Sequence, residues 1–463
     1  MALAEPLQQG QLDSLQHASA AEIGRLLATY KGGAVQVAEH FLSHIEEQTS
    51  AVFLNVTQDR ALAEARSADE RLAAGRPLSP LDGVPLAWKD LIDMAGEQTT
   101  VASGLFKETP LAEEDAPAVR RAAQAGMVNL GKVNLAEFAY SALGQNPHFG
   151  TPLNPHGGEP HAPGGSSSGS GVAVAAGLVP VAIGSDTAGS VRIPASFCGV
   201  VGFKTSEGRV STDRCFALSR TQDTLGPLAH SVEDCALIFN ALTGQPDRPI
   251  EISALEQLII LVPEGFVTDG LAPSVAAAFE SSLKELERAG ACIHRQSIPA
   301  LETAAAMLRD LGSIVAADAF HEHRKIMDSC DANHMDQRVR ARIEIGRSMS
   351  AADLVALQRQ RALGMQEIRT ALDGAFLAMP TTPDTAPALK TFEGDDAAFA
   401  HHNLRANRNT SVGSFYDLPG LAIPNGHDSA GLPTSFLLSA PSGADSQLLA
   451  TGMAAEKTIR NDI

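Results

Sequence analysis

Ser190 closes a four-residue corner, Thr187-Ala188-Gly189-Ser190, inside a stretch that is poor in charge and rich in Gly, Ser and Ala. A hydroxyl beside consecutive backbone N–H groups suits acyl transfer. The oxygen can attack a carbonyl carbon, and the amides can hold the oxyanion that develops. Glycine lets the backbone pass close to a small substrate. The corner therefore reads as a nucleophile, Ser190, with an oxyanion hole built from the N–H groups of Thr187, Ala188, Gly189 and Ser190. It lacks only a base.

The corner belongs to a longer run, residues 163–211, which opens with a Gly/Ser tract at 164–171 and turns apolar over 172–183. Gly/Ser tracts commonly act as flexible linkers. A linker joins folded blocks through polar residues, whereas this tract leads into an apolar segment, so it reads as a loop packed inside a domain. Residues 165–169, GSSSG, also satisfy G-x-S-x-G with Ser167 at the centre. That elbow must follow a strand, and the preceding GGEPHAP cannot make one, so the match is accidental.

Other chemistries find little support. His321/His323 and His401/His402 are the close histidine pairs, and neither has the acidic partner and spacing of H-E-x-x-H. Both read as solvated helix residues, and neither a metal nor a cofactor is expected. The scattered carboxylates show no glycosidase pairing, and the Gly/Ser tract lacks the G-K-[ST] ending of a phosphate loop.

The ordered run GGSSSGS…GSDTAGSVRIPASFCGVVGFK…GRVS resembles the signature of the amidase signature family, serine hydrolases with a Ser–cis-Ser–Lys triad. The resemblance extends from about residue 20 to the C-terminal end and is weak over about 300–375. It places the family's lysine at Lys89, in Gly83-Val-Pro-Leu-Ala-Trp-Lys-Asp90, and the relay serine in the Gly/Ser tract. Ser166, the first serine after the glycine pair, is the assignment preferred; a shift of one or two positions would move the role to Ser167 or Ser168. The implied mechanism runs from Ser190 through the relay serine to a neutral Lys89. Apolar residues flanking Lys89 agree with this, because a buried lysine loses its charge readily. Asp186 and Arg192 are read as an ion pair or backbone brace that shapes the corner. Ala188 stands where the family most often has Gly.

The resemblance implies hydrolysis of amides, with carbamates as a further option. The substrate would be a small-molecule amide or carbamate, with water as the second reactant. One branch of the family supplies ammonia from glutamine to misacylated tRNA, and a component of such a complex is the alternative. Ile193, where that branch has glutamine, and Thr205-Ser-Glu, where it has Pro-Thr-Tyr, argue for a free-standing enzyme with an apolar pocket. Substrate contacts are expected from Tyr140, Gly164, Gly165, Ile193, Arg209 and Phe415. Trp88, Met94, Leu105, Phe149 and Phe216 are further candidate liners.

Composition agrees. The net charge of −19 argues against nucleic acid and anionic membranes as partners. The five cysteines are scattered without a C-x-x-C, which suits free thiols in a reducing compartment. Residues 1–8 lack the basic and apolar regions of a secretory signal, and 172–183 is too short to span a bilayer. The expected product is a cytoplasmic monomer or homodimer.

The elements that must position these residues alternate between strand and helix, which predicts an α/β fold, a mixed sheet sandwiched by helices. The chain reads as one domain, residues 1–463, with a signature core at about 80–245 and a variable helical substrate cover at about 300–375. Helices are predicted over 20–30, 35–47, 59–74, 116–125, 134–140, 231–242, 274–289 and 446–456, and mostly helix over 303–369. Strands are predicted over 52–57, 84–88, 128–130, 258–262 and 292–295; the family resemblance further implies a strand-end Pro/Thr motif at 378–383 and late sheet strands at 418–424 and 431–433. The strand at 84–88 delivers Lys89 at its end.

Overall fold

The structure is a computed structural model that describes residues 7–48, 51–256 and 258–460. The stretch 1–6, part of the segment read as lacking a signal, lies outside the described residues. Among the described residues, no helix is long and apolar enough to cross a membrane.

The alternation of strands and helices resolves into one mixed sheet of eleven strands. In chain order they are β1 (Phe53–Val56), β2 (Pro85–Lys89), β3 (Val128–Val133), β4 (Val181–Asp186), β5 (Val201–Lys204), β6 (Thr224–Ala229), β7 (Ile259–Glu264), β8 (Cys292–Ser297), β9 (Phe376–Pro380), β10 (Gly420–His427) and β11 (Pro433–Ser439). Across the sheet the order is β1-β3-β2-β4-β6-β5-β10-β11-β9-β7-β8. Strand β2 runs parallel to both β3 and β4, and β6, β5, β10, β11 and β9 follow in antiparallel pairs. β2, β3, β4 and β6 are buried at every position, and near-continuous apolar runs suit strands covered on both faces.

The parallel pair β2/β4 positions the chemistry. Trp88 lies opposite Ile183, so Lys89 and the corner after Asp186 emerge from the same ends of neighbouring strands. Between them the apolar run divides. Ser168–Ala175 forms a helix buried along nearly its whole length, Gly177 turns the chain at φ +68°, and β4 begins at Val181.

One expectation fails here. Residues 134–140 do not form an α-helix; a single 3-10 turn spans Glu137–Ala139, with Phe138 and Ala139 at positive φ. Asn134 Nδ2 donates to Ala51 O and Gly150 O, which ties the chain to a neighbouring loop and interrupts the helical path.

The sheet and the helices against it share the main core, from Leu27 and Phe41 through Trp88 and Ile183 to Leu448. A separate apolar cluster joins Phe138, Tyr140 and Leu218 to Val315, Ala319, Val339 and Ile343 on the helices Ile314–Met327 and Gln337–Ser348. Region 303–369 is helical as expected. His323 departs from its reading as a solvated residue. It is buried, stacks on Phe216 at 4.8 Å, and places Nε2 3.0 Å from Ala217 O.

Candidate active site

Lys89 is fully buried at the end of β2. Its Nζ lies 2.7 Å from Ser166 Oγ and 2.8 Å from Ser185 Oγ. Burial lowers its pKa to about 7, against the opposing pull of Asp223 and Asp186. A lysine in this state is part neutral near pH 7 and can accept a proton.

The three consecutive serines of the tract separate clearly. Ser166 follows the cis Gly165–Ser166 peptide bond and reaches Lys89. Ser167 Oγ donates to Ser185 O at 3.2 Å and accepts from Ser185 N at 3.3 Å, which makes it a loop brace rather than a nucleophile. Ser168 begins the following helix, and its buried Oγ has no partner among the described residues.

The corner after β4 is held from below. Asp186 Oδ1 accepts from Gly189 N at 2.7 Å and Arg192 Nη2 at 2.9 Å; Oδ2 accepts from Val191 N and Arg192 Nε. Burial opposes ionisation of Asp186, but Arg192 outweighs it and the carboxyl sits at about 2. The pair is thus the brace expected. It also corrects the oxyanion expectation: the Gly189 N–H is occupied by Asp186. Among the described residues, no acceptor meets the N–H groups of Thr187, Ala188 or Ser190.

Gly189 is required by shape. Its φ is +139°, and a Cβ there would lie 2.2 Å from Thr410 Oγ1. Thr410, on the helix Asp396–Phe415, donates to Ala188 O at 2.7 Å.

Thr187 and Ala188 face a cavity of about 460 Å³. Its other walls come from Tyr140, Gln222, Val315, Arg342, Asn403 and Phe415, with Leu404 and Ile345 among the outer apolar residues. Of the expected substrate contacts, Tyr140 and Phe415 are among these walls. The other expected contacts are not. Gly164 and Gly165 are packed against Pro194 and against Ser141 and Gly144. Ile193 is buried beneath Gly189. Arg209 lies over Phe239 and 3.9 Å from Asp445, neither of which lines the cavity. Trp88 is core, donating to Asn129 Oδ1. Met94, Leu105, Phe149 and Phe216 also stand outside the lining.

Three residues passed unnoticed in the sequence. Ser185 shares Lys89 with Ser166. Asp223 accepts from Thr187 Oγ1 at 2.5 Å. Arg342 sits 4.3 Å over the Tyr140 ring; its buried Nη1 has no hydrogen-bond partner, and no carboxylate pairs with it among the described residues. A lone carboxylate just before the apolar run 224–229 was a usable signal for Asp223; Arg342 has no local signature. No group of three or more His, Cys, Asp or Glu capable of holding a metal occurs among the described residues.

The family model for amidases matches residues 36–449. The chain belongs to the amidase family. As an amidase-family chain it is a C–N hydrolase by class. It is 33% identical to a glutamyl-tRNA(Gln) amidotransferase subunit of Cupriavidus necator, covering 94% of this chain and 95% of that protein. It is equally 33% identical to 2-amino-5-chloromuconic acid deaminase of Comamonas testosteroni, covering 86% and 87%. An amidase crystal structure superposes with a TM-score of 0.83 at 30% identity, over 96% of this amidase-family chain and 100% of the other. A chain from a vestigial complex linked to the origins of an s-triazine catabolic enzyme gives 0.84 at 30%, over 95% and 98%.

Proposed function

We propose that this chain hydrolyses the amide of a small carboxylic acid through an acyl-enzyme on Ser190. The observation that carries the proposal is the buried Lys89 Nζ 2.7 Å from Ser166 Oγ. As Ser190 Oγ bonds to the carbonyl carbon, its proton passes to Ser166 Oγ, and the Ser166 proton passes to Lys89 Nζ. The N–H groups of Thr187, Ala188 and Ser190 hold the oxyanion. The same relay returns the proton to the leaving nitrogen as the C–N bond breaks, and then activates water to release the acid. In this reading Tyr140 and Phe415 contact substrate, while Asp186 and Arg192 keep the corner in shape.

Arg342 refines the substrate. A guanidinium without a carboxylate partner, in the wall of a cavity, attracts a carboxylate with charge-assisted hydrogen bonds. The substrate is accordingly an amide that also carries a carboxylate, a description that glutamine fits. This departs from the wholly apolar pocket expected from sequence.

A second reading is favoured by a specific finding: several relatives covering nearly the whole chain are amidotransferase subunits. In it the chain releases ammonia from glutamine inside a complex.

The test is a matched panel of glutamine, a neutral primary amide, a p-nitroanilide, an aryl carbamate and an ester, with Ser190→Ala as control. Turnover of acid-bearing amides ahead of neutral ones supports the main reading; activity surviving Ser190→Ala removes it. Glutamine cleavage that appears only on adding a partner chain supports the second. Carbamate turnover near the amide rate would add urethanase activity.

A further inference from the structure

Asp223 is a half-buried carboxylate to which the proposed mechanism gives no role. It stands where the loop 218–223 enters β6, and its environment connects both halves of the site. On one side, Oδ1 accepts from Thr187 Oγ1 at 2.5 Å, at the first residue of the oxyanion corner. On the other, Asp223 and Ser185 line one small chamber of about 20 Å³, and Ser185 Oγ lies 2.8 Å from Lys89 Nζ. A space of that size accommodates about one water molecule. Oδ2 is fixed by Leu218 N at 2.9 Å and Ser219 N at 3.0 Å, so the carboxylate cannot swing away.

We infer that Asp223 is a positioning residue that couples the base to the oxyanion corner: its charge sets the proton affinity of Lys89, and its hydrogen bond aims Thr187. This rests on the acyl-enzyme reading above. The charged groups that face Lys89 are Asp186 on β4 and Asp223 beside β6. Asp186 is committed to Arg192, which leaves Asp223 as the carboxylate without a cationic neighbour of its own beyond Lys89. Around Asp223 stand Lys89, the Cys215 thiol and, in the chamber wall, Arg220, whose guanidinium is turned to Glu322. Burial pushes Asp223 up to about 6, partly offset by its three hydrogen bonds and by Lys89.

The geometry allows a clean substitution. In Asp223→Asn the amide oxygen can take the two backbone N–H groups while Nδ2 donates to the Thr187 hydroxyl, so the loop keeps its ties and only the charge is lost. Loss of a nearby negative charge disfavours the ammonium form of Lys89.

The experiment reads the titration of Lys89 directly, by NMR of ε-13C-lysine in the full-length chain carrying Ser190→Ala, so that substrate choice does not enter. Lys89→Ala assigns the resonance. Asp223→Asn lowers the Lys89 midpoint by about one pH unit, and in the active background it moves the acidic limb of kcat/KM by the same amount. Thr187→Val lowers kcat by about tenfold, because the donor is misaimed rather than removed, and outright removal costs about 10²–10³; KM stays nearly unchanged. A Lys89 midpoint unmoved in Asp223→Asn overturns the inference, as does full kcat in Thr187→Val should the first variant fail to fold. Activity that survives Ser190→Ala is a different result, and defeats the acyl-enzyme reading instead.

Discussion

Thr410 Oγ1 donates to the carbonyl of Ala188 at 2.7 Å. The bond runs from a helix that walls the cavity to the corner that carries Ser190. Arg192 reinforces it, with Nη2 reaching Thr410 O at 3.2 Å and Ser414 Oγ at 2.7 Å. The corner 187–190 is thus gripped from two sides, by Asp186 beneath and by Thr410 above.

Gly189→Ala should break that grip. Its Cβ would fall 2.2 Å from Thr410 Oγ1, at a φ of +139° that a side chain rarely adopts. Steady-state kinetics should show kcat reduced by about 10²-fold, the scale of a lost oxyanion donor, with KM changed far less. Wild-type kcat would mean that the corner tolerates reshaping.

The relay predicts a graded loss. Ser190→Ala lowers kcat by at least about a thousandfold, and Lys89→Ala by about 10²–10⁴, the span for general-base catalysis. Burst kinetics with a chromogenic amide check the order, because no acyl-enzyme accumulates without Ser190.

Activity should rise with pH. Lys89 accepts a proton only when neutral, and burial places its pKa at about 7. The free-enzyme profile of kcat/KM therefore climbs through pH 7 and levels above it. A profile flat from pH 5 to pH 8 would exclude a lysine base (about 1 unit either side of such a pKa spans most of a titration).

Much of this was legible in the residues. The corner 187–190 stood out through composition, and the apolar strand ending at Lys89 placed that side chain where water is excluded. The cavity was far less legible. Arg342 and Tyr140 are some two hundred positions apart in the chain, and their contact depends on how the helices between β8 and β9 pack. Ile193 and Arg209 looked eligible through nearness in sequence to Ser190. One points under the loop and the other toward Phe239, because a helix beginning at Arg192 and the strand β5 intervene.

Arg342→Leu tests the substrate reading. KM for acid-bearing amides should rise by about 10–100-fold, since hydrogen bonds to charged groups contribute about 1.5–3 kcal/mol. KM for neutral amides should stay level or fall. Equal effects on both classes would mean the guanidinium serves packing against Tyr140.

Asp186 links the site to stability. Its folded pKa of about 2 lies below the ordinary 3.8. It contributes about 2 kcal/mol above pH 4, lost as the pH falls through 2. Asp186→Asn strands the buried Arg192 and should cost about 3–5 kcal/mol at neutral pH, read from denaturant midpoints.

The cluster that joins Tyr140 and Phe138 to the helices Ile314–Met327 and Gln337–Ser348 is separate from the core of the sheet. Selectivity can therefore drift on its own. Changes at Val315 or Ile345 alter what fits above Ala188 while the strands that hold Lys89 and Ser190 keep their packing. Such an architecture works like a fixed tool with an exchangeable jig, and grafting residues 314–348 from a relative should transfer preference without rebuilding the catalyst.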